Sequence, residues 1–97
     1  MHVRINIFGS VNEAAGWNSR VVDFDQNITS IEGVLRAARL ASGGTLYDLI
    51  SERYLLKNNY AIFLNGRLIE HPVDLNREIK NEDKINVLDF PFILGGG

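Results

Sequence analysis

The end of the chain holds its most distinctive chemistry, because an apolar run is followed there by glycines. The run is Phe90, Pro91, Phe92, Ile93 and Leu94, followed by Gly95, Gly96 and Gly97. Three glycines can extend through a channel too narrow for a Cβ, and their N–H and C=O groups stay available to a partner. We therefore expect residues 91–97 to form an extended, flexible tail that a partner protein binds.

The α-carboxylate of Gly97 is the reactive group of this tail. A carboxylate is a poor electrophile until it is activated, and its transfer to the α-phosphate of ATP gives an acyl-adenylate with AMP as leaving group. A sulfur nucleophile would then give a thiocarboxylate, whereas a lysine amine would give an amide. A frayed, inert end also fits the glycines when they are taken alone.

No self-contained active site is visible elsewhere in the sequence. The only histidines are His2 and His71, neither at ligand spacing from another histidine, and there is no cysteine. The stretch Gly43-Gly44-Thr45 lacks the lysine of a phosphate-binding loop. We therefore expect no bound metal or cofactor, and any chemistry would belong to a backbone group of this chain or to a partner.

Composition predicts one globular domain over residues 1–97. The chain has 97 residues, of which 45% are hydrophobic and 23% charged, and its net charge is -2. This balance gives no electrostatic reason to bind nucleic acid or a membrane surface, and no apolar run could span a bilayer. The absence of cysteine is compatible with a reducing compartment, and we expect the protein to be cytoplasmic.

The pattern of the first half of the chain predicts two strands followed by two helices. Apolar alternation predicts a strand over residues 3–8, and residues 20–24 read as its hairpin partner. The sequence Thr29-Ser30-Ile31-Glu32 is a capping-box pattern, which predicts that the Thr29 hydroxyl caps a first helix and that Glu32 reaches back to it. Thr45 opens a second helix.

The second half reads as strands joined by turns. Residues 60–64 form a compact apolar strand, and Asn65-Gly66 predicts a hairpin into a return strand over residues 67–70. Residues 74–79 suggest a helical turn, and residues 84–88 form the last strand. The order predicts an α+β fold with a mixed four- to five-stranded sheet and one or two helices packed on one face. If the first and last strands run parallel side by side, this is the β-grasp arrangement.

The same residues resemble the MoaD/ThiS family of ubiquitin-like sulfur carriers. The matching segments, in chain order, are Ile7-Phe8, Thr45-Leu46-Tyr47-Asp48-Leu49-Ile50, Phe63-Leu64-Asn65-Gly66, Asn81 through Val87, and Phe90-Pro91 before the terminal glycines. Phe92 stands where the family has a second proline. The family's Gly-Gly aligns with Gly95-Gly96, so the functional carboxylate belongs either to Gly97 or, after trimming, to Gly96.

The resemblance implies a carrier whose C-terminal glycine is adenylated by an E1-like enzyme, with ATP used by that partner. A sulfur donor would then form a thiocarboxylate for molybdopterin synthesis, in a complex with a large synthase subunit. Thiamine or tRNA thiolation are alternative destinations, and so is conjugation to lysines as a protein modifier. Gly97 would be the reacting residue. The partner-binding residues would be Phe90, Pro91, Phe92, Ile93, Leu94, Gly95 and Gly96.

Four further residues have two open interpretations. Ile62, Leu64 and Leu68 belong either to the core or to an apolar docking patch on the outer face of the sheet. Trp17 is either an exposed anchor for a partner or a ring folded over the edge of the core.

Overall fold

The computed structural model describes residues 1–9, 13, 15–23, 29–53, 60–69 and 73–89. Residues 90–97, which include every predicted site residue, lie outside this set, and so does His71. The described strands are β1 (His2–Phe8), β2 (Ser19–Asp23), β3 (Thr29–Ser30), β4 (Tyr60–Leu64), β5 (Arg67–Leu68), β6 (Glu78–Ile79) and β7 (Lys84–Asp89). The helices whose full bounds the structure describes are α1 (Ile31–Ala37), α2 (Leu46–Arg53) and a 3₁₀ helix at Val73–Asn76.

Five of these strands form a mixed sheet in the order β2–β1–β7–β4–β5. The first and last strands of the chain are its centre, and they run parallel, with Ile5 opposite Ile85. The neighbours β2 and β4 pair antiparallel with β1 and β7, and β5 pairs antiparallel with β4. This arrangement confirms the predicted α+β fold and the predicted parallel pairing of the first and last strands.

One face of the sheet, the inner face, packs under the helices. Side chains alternate between the two faces of a strand, so every second residue of β1 points to the core. Val3, Ile5 and Ile7 are at most 1% exposed, and Ile85 and Val87 of β7 are fully buried beside them. Helix α1 contributes further buried side chains to the same core, namely Ile31, Val34 and Leu35.

Both helices begin at a hydroxyl residue, although the first cap differs from the expected one. Ser30, not Thr29, is the N-cap of α1, and its side chain accepts a hydrogen bond from the backbone N–H of Gly33 at 3.0 Å. The predicted capping box is therefore wrong, because Thr29 is taken into strand β3 and Glu32 pairs forward with Arg36. The hydrogen bond that Arg36 Nε donates to the Glu32 carboxylate at 2.9 Å raises the pKa of Arg36. Thr45 caps α2 as predicted, accepting from Asp48 N–H at 3.2 Å.

A second, two-stranded sheet joins the start of α1 to the segment before β7. Strand β3 pairs antiparallel with β6, with Thr29 opposite Ile79. The predicted helical turn over residues 74–79 is only half right, because the 3₁₀ helix ends at Asn76 and β6 follows it. Ile79 is fully buried, so its place in the core favours an extended segment over another helical turn.

A hydrogen-bonded turn fixes where β4 and β7 meet. Asn65 lies in the predicted hairpin turn with φ 51, and its backbone N–H donates to the carbonyl of Lys84 at 2.8 Å. The Asn65 amide oxygen accepts from the N–H of Lys84 at 2.9 Å, and its Nδ2 donates to the Asp83 carboxylate at 2.9 Å. These three bonds set the register that places Leu64 opposite Ile85.

The longest helix in the described part of the chain is α2, with eight residues. Within those described ranges, no helix has the length and apolar character needed to cross a membrane.

Candidate docking face at the exit of the tail

The predicted tail continues from the end of the central strand β7. The last residue of β7, Asp89, is opposite Tyr60 of β4, and the preceding Leu88 is opposite Phe8 of β1. Strand β7 therefore finishes at Asp89 between the end of β1 and the start of β4. Eight extended residues span at most about 27 Å, so a carboxylate on residue 97 has enough chain to reach well away from the sheet.

The outer face of the sheet, opposite the helices, exposes apolar side chains at the end where β7 finishes. The register puts Phe8, Leu88 and Ala61 side by side there, and Phe63 and Leu68 lie one step back, beside Asn86. We call these five apolar residues the apolar end: Phe8, Ala61, Phe63, Leu68 and Leu88. Phe8 is 48% exposed and Leu68 is 62% exposed, whereas Ala61 is buried. Large apolar side chains left open on one patch indicate a contact surface for another protein.

A row of hydrogen-bonded polar side chains crosses the middle of the outer face. Asn6 Nδ2 donates to Asn86 Oδ1 at 3.0 Å, and the Ser19 hydroxyl donates to Asn6 Oδ1 at 2.9 Å. We call Ser19, Asn6 and Asn86 the polar row. Because these side chains bond each other, they hold strands β2, β1 and β7 in fixed lateral order beside the apolar end.

Beyond the polar row, the outer face carries cationic side chains, and we call this region the basic end. Arg4 of β1 is opposite Lys84 of β7, and Val21 of β2 is opposite Arg4. Together with His2 and Glu82 they line an open pocket of about 250 Å³. The three regions lie in sequence along one face, from the apolar end at the exit of the tail to the basic end.

No cluster of metal-binding side chains accompanies this face in the part of the chain that the structure describes. Those residues contain no group of three or more His, Asp or Glu side chains placed to hold a metal ion. The chain contains no cysteine anywhere.

The structure decides between the two interpretations given above for Ile62, Leu64, Leu68 and Trp17. Ile62 and Leu64 are buried on the inner face at 0% and 8% exposure, so they belong to the core. Leu68 is exposed on the outer face. Trp17 is half-buried against the core, and its Nε1 donates to the carbonyl of Arg39 at 2.9 Å, so the ring is held over the edge of the core. The tail residues Phe90 to Gly97 stay a prediction.

Sequence reasoning missed Phe8 as a surface residue. The signal was present, because Val3, Ile5 and Ile7 set the buried phase of β1 and Phe8 falls in the opposite phase. A large apolar residue in the solvent phase of a strand indicates a contact surface. Leu88 of β7 has the same signal, since the buried residues of that strand are Ile85 and Val87.

Comparison with known proteins gives matches at the level of structure only. No protein-family profile and no curated sequence matches the chain. The structure is similar to SAMP1 from Haloferax volcanii, with a TM-score of 0.62 and 15% identity over 92% of this chain and 94% of that one. It is similar to a putative molybdopterin converting factor subunit 1 from Pyrococcus furiosus, with a TM-score of 0.59 and 13% identity over 93% and 98%.

A third similar structure is the small archaeal modifier protein 1 (SAMP1) from Methanosarcina acetivorans. Its TM-score is 0.53, and it is 19% identical over 93% of each chain. At such identities the likeness establishes the fold. The structural neighbours are thus MoaD-type and SAMP1 ubiquitin-like proteins, as the sequence motifs predicted, and the β-grasp fold is confirmed.

Proposed function

We propose that this chain is a ubiquitin-like sulfur carrier whose C-terminal glycine, Gly97, is adenylated by an E1-like enzyme and converted to a thiocarboxylate. The observation that carries the proposal is the place where the tail begins. The glycine-ended segment follows in sequence from the central strand β7, whose Leu88 is opposite the exposed Phe8 of the apolar end. A partner seated on that patch would lie within reach of the tail.

The activation step needs only the terminal carboxylate from this chain. A carboxylate oxygen of Gly97 attacks the α-phosphorus of ATP, a C–O–P linkage forms, and pyrophosphate leaves. A hydrosulfide equivalent from a sulfur donor then attacks the carbonyl carbon, and AMP leaves. Glycine suits both attacks because no side chain shields the carbonyl carbon, and the preceding Gly95 and Gly96 would fit a narrow channel in the enzyme.

The absence of cysteine favours the acyl terminus as the place where sulfur is held. The chain has no thiol that could form a persulfide. A transferable sulfur would therefore be bound as a thiocarboxylate. Tail residues Phe90, Pro91, Phe92, Ile93 and Leu94 would add apolar contacts to the partner next to the apolar end.

Molybdopterin synthesis is the sulfur-transfer pathway that we propose for the carrier. The Pyrococcus furiosus neighbour is described as a molybdopterin converting factor subunit, and the sequence has the motif order of that family. In this role the partners would be the E1-like enzyme and a large synthase subunit. The alternative is conjugation of Gly97 to lysines, which is favoured by the small archaeal modifier proteins among the neighbours.

The test is mass spectrometry of the C-terminal peptide after the full chain is incubated with ATP, an E1-like enzyme and a sulfur donor. Exchange of one oxygen for sulfur at Gly97 is the expected result. Peptide-level data are required because oxidation of Met1 changes the intact mass almost equally. Isopeptide bonds from Gly97 to lysine, with no thiocarboxylate, would favour the modifier instead. Neither product with several E1-like enzymes would refute the proposal.

Matched variants test the contributions of the tail and of the apolar end to adenylation separately. Deletion of Gly96 and Gly97 should abolish activation, and Gly97→Ala should impair it through the added Cβ. Phe8→Glu puts a charge on the apolar end and should slow adenylation about tenfold or more, while the fold is retained. Ala37→Glu is the control, because it adds the same charge at an exposed position of α1 on the other side of the sheet. Equal rates for the Phe8 and Ala37 variants would argue against docking at the apolar end.

A further inference from the structure

In the part of the chain that the structure describes, two cations of the basic end have no carboxylate within ion-pair distance. Arg4 and Lys84 are opposite each other on the parallel strands β1 and β7, and both are exposed. Among the described residues, neither side chain forms an ion pair. The Arg4 Nη1 donates instead to the hydroxyl of Ser19 at 3.3 Å. These are donors that a negatively charged group could still bind.

The neighbouring acidic groups do not neutralise this pair. Asp23 faces the N-terminal ammonium of Met1 at 3.7 Å and His2 Nδ1 at 3.4 Å. The remaining carboxylate in the pocket is that of Glu82. Among the residues that line the pocket, two cations face one carboxylate, which leaves a surplus of positive charge there on a chain whose net charge is -2. Because the chain as a whole is negative, this positive charge is a local property of the basic end.

The basic end and the apolar end are close enough to be covered by one partner. Both are built from β1 and β7, and Arg4 and Phe8 are four residues apart on the same strand face. The rise along a strand is about 3.3 Å per residue, so these four residues separate the two ends by about 13 Å. A protein interface of ordinary size, about 800 Å² on each side, spans that distance.

We propose that the basic end binds the carboxylates of an acidic segment on the protein that covers the apolar end. The Arg4 guanidinium presents a planar fork of donors that matches a carboxylate, and Lys84 adds a second cation. The pocket has only two cations and also contains Glu82, so it fits the few carboxylates of a short acidic segment better than the long run of phosphates in a nucleic acid. The inference rests on the proposed function for the identity of the partner, and the site itself can be tested without that partner.

The test is an NMR titration of the isotope-labelled full chain with a hexaglutamate peptide capped at both ends. We expect the amide signals of His2, Arg4, Val21, Glu82 and Lys84 to shift, and the affinity to fall several-fold as salt is raised from low to high ionic strength. The variant Arg4→Glu/Lys84→Glu should bind about tenfold or more weakly. If that variant does not fold, Lys84→Gln takes its place with a smaller expected loss.

Arg77→Glu/Lys80→Glu is the matched control, because it changes the charge equally at two exposed residues outside the five-stranded sheet. Equal losses in both double variants would mean that only net charge matters, and this would overturn the site. Shifts of the same size with inorganic phosphate would also overturn it, because the pocket would then be a general small-anion site.

The titration and the activation assay fail independently. Thiocarboxylate formation without peptide binding would overturn the basic end as a carboxylate site and leave the proposed function intact. Peptide binding without thiocarboxylate formation would support the site and refute only the proposed function.

Discussion

The two faces of the five-stranded sheet are made by the same strands but differ in what they contain. The centre of the inner face is aliphatic, and Ile5 and Ile85 there are fully buried. The outer face is divided into an apolar end, a polar row and a basic end, and it leaves Phe8 48% exposed. The inner face is therefore explained by folding alone. The outer face keeps an exposed aromatic ring that folding does not require, and we attribute it to binding.

Truncating one residue on each face should give the largest effects. The inner-face variant should mainly lose stability, and the outer-face variant should mainly lose adenylation rate. Ile5→Ala removes fully buried methyl groups and should lower the free energy of unfolding by about 3 kcal/mol. Phe8→Ala removes a half-exposed ring from the same strand and should cost no more than about 1 kcal/mol. Chemical denaturation measures both values, and the adenylation rate should rank the two variants in reverse order once both are folded.

Similar losses of stability for Ile5→Ala and Phe8→Ala would contradict this difference between the faces. It would mean that Phe8 contributes to the folded state as a core residue does, and that its exposure has no bearing on partner binding.

The distinction between the faces also depends on register, which Asn65 helps to set. A slip of one residue between β4 and β7 would exchange their inner and outer side chains. Asn65→Ala removes two side-chain hydrogen bonds and puts alanine at φ 51, so the free energy of unfolding should fall by about 2 kcal/mol. Asn65→Gly is the control: it keeps the backbone conformation accessible and should lose less. Equal losses in the two variants would show that the hydrogen bonds alone matter.

The smallest predicted effect has the opposite sign and lies at the rim of the basic end. Glu82 has φ 70, which is unfavourable for a residue with a Cβ. Glu82→Gly should relieve this strain, partly offset by the greater freedom of glycine in the unfolded chain, so a net stabilisation of about 0.5 kcal/mol is expected. Thermal unfolding measures it. A destabilised Glu82→Gly protein would mean that the Glu82 side chain makes contacts that stabilise the fold.

The elements that sequence predicted well are those specified by local patterns. The alternation in β1 gave its buried face, Asn65-Gly66 gave the hairpin turn, and Thr45 gave the start of α2. Short elements were less predictable. Strands β3 and β6 have two residues each, too few for any periodicity, and they exist because Thr29 and Ile79 are brought opposite each other. The N-cap of α1 is Ser30 and not the predicted Thr29 for the same reason, because Thr29 pairs with Ile79.

The sequence alone provided the basis for the chemistry that we propose, namely the run Gly95-Gly96-Gly97 and the lack of cysteine, and it predicted strands with one clearly buried phase. These properties follow from residue types and their spacing. Only the tertiary structure decided which outward-facing residues meet, since Phe8, Leu88 and Leu68 come from three strands that are distant along the chain. Strand order and register bring the apolar end to the exit of the tail and Arg4 beside Lys84, because pairing between β1 and β7 is a long-range contact that no local pattern encodes.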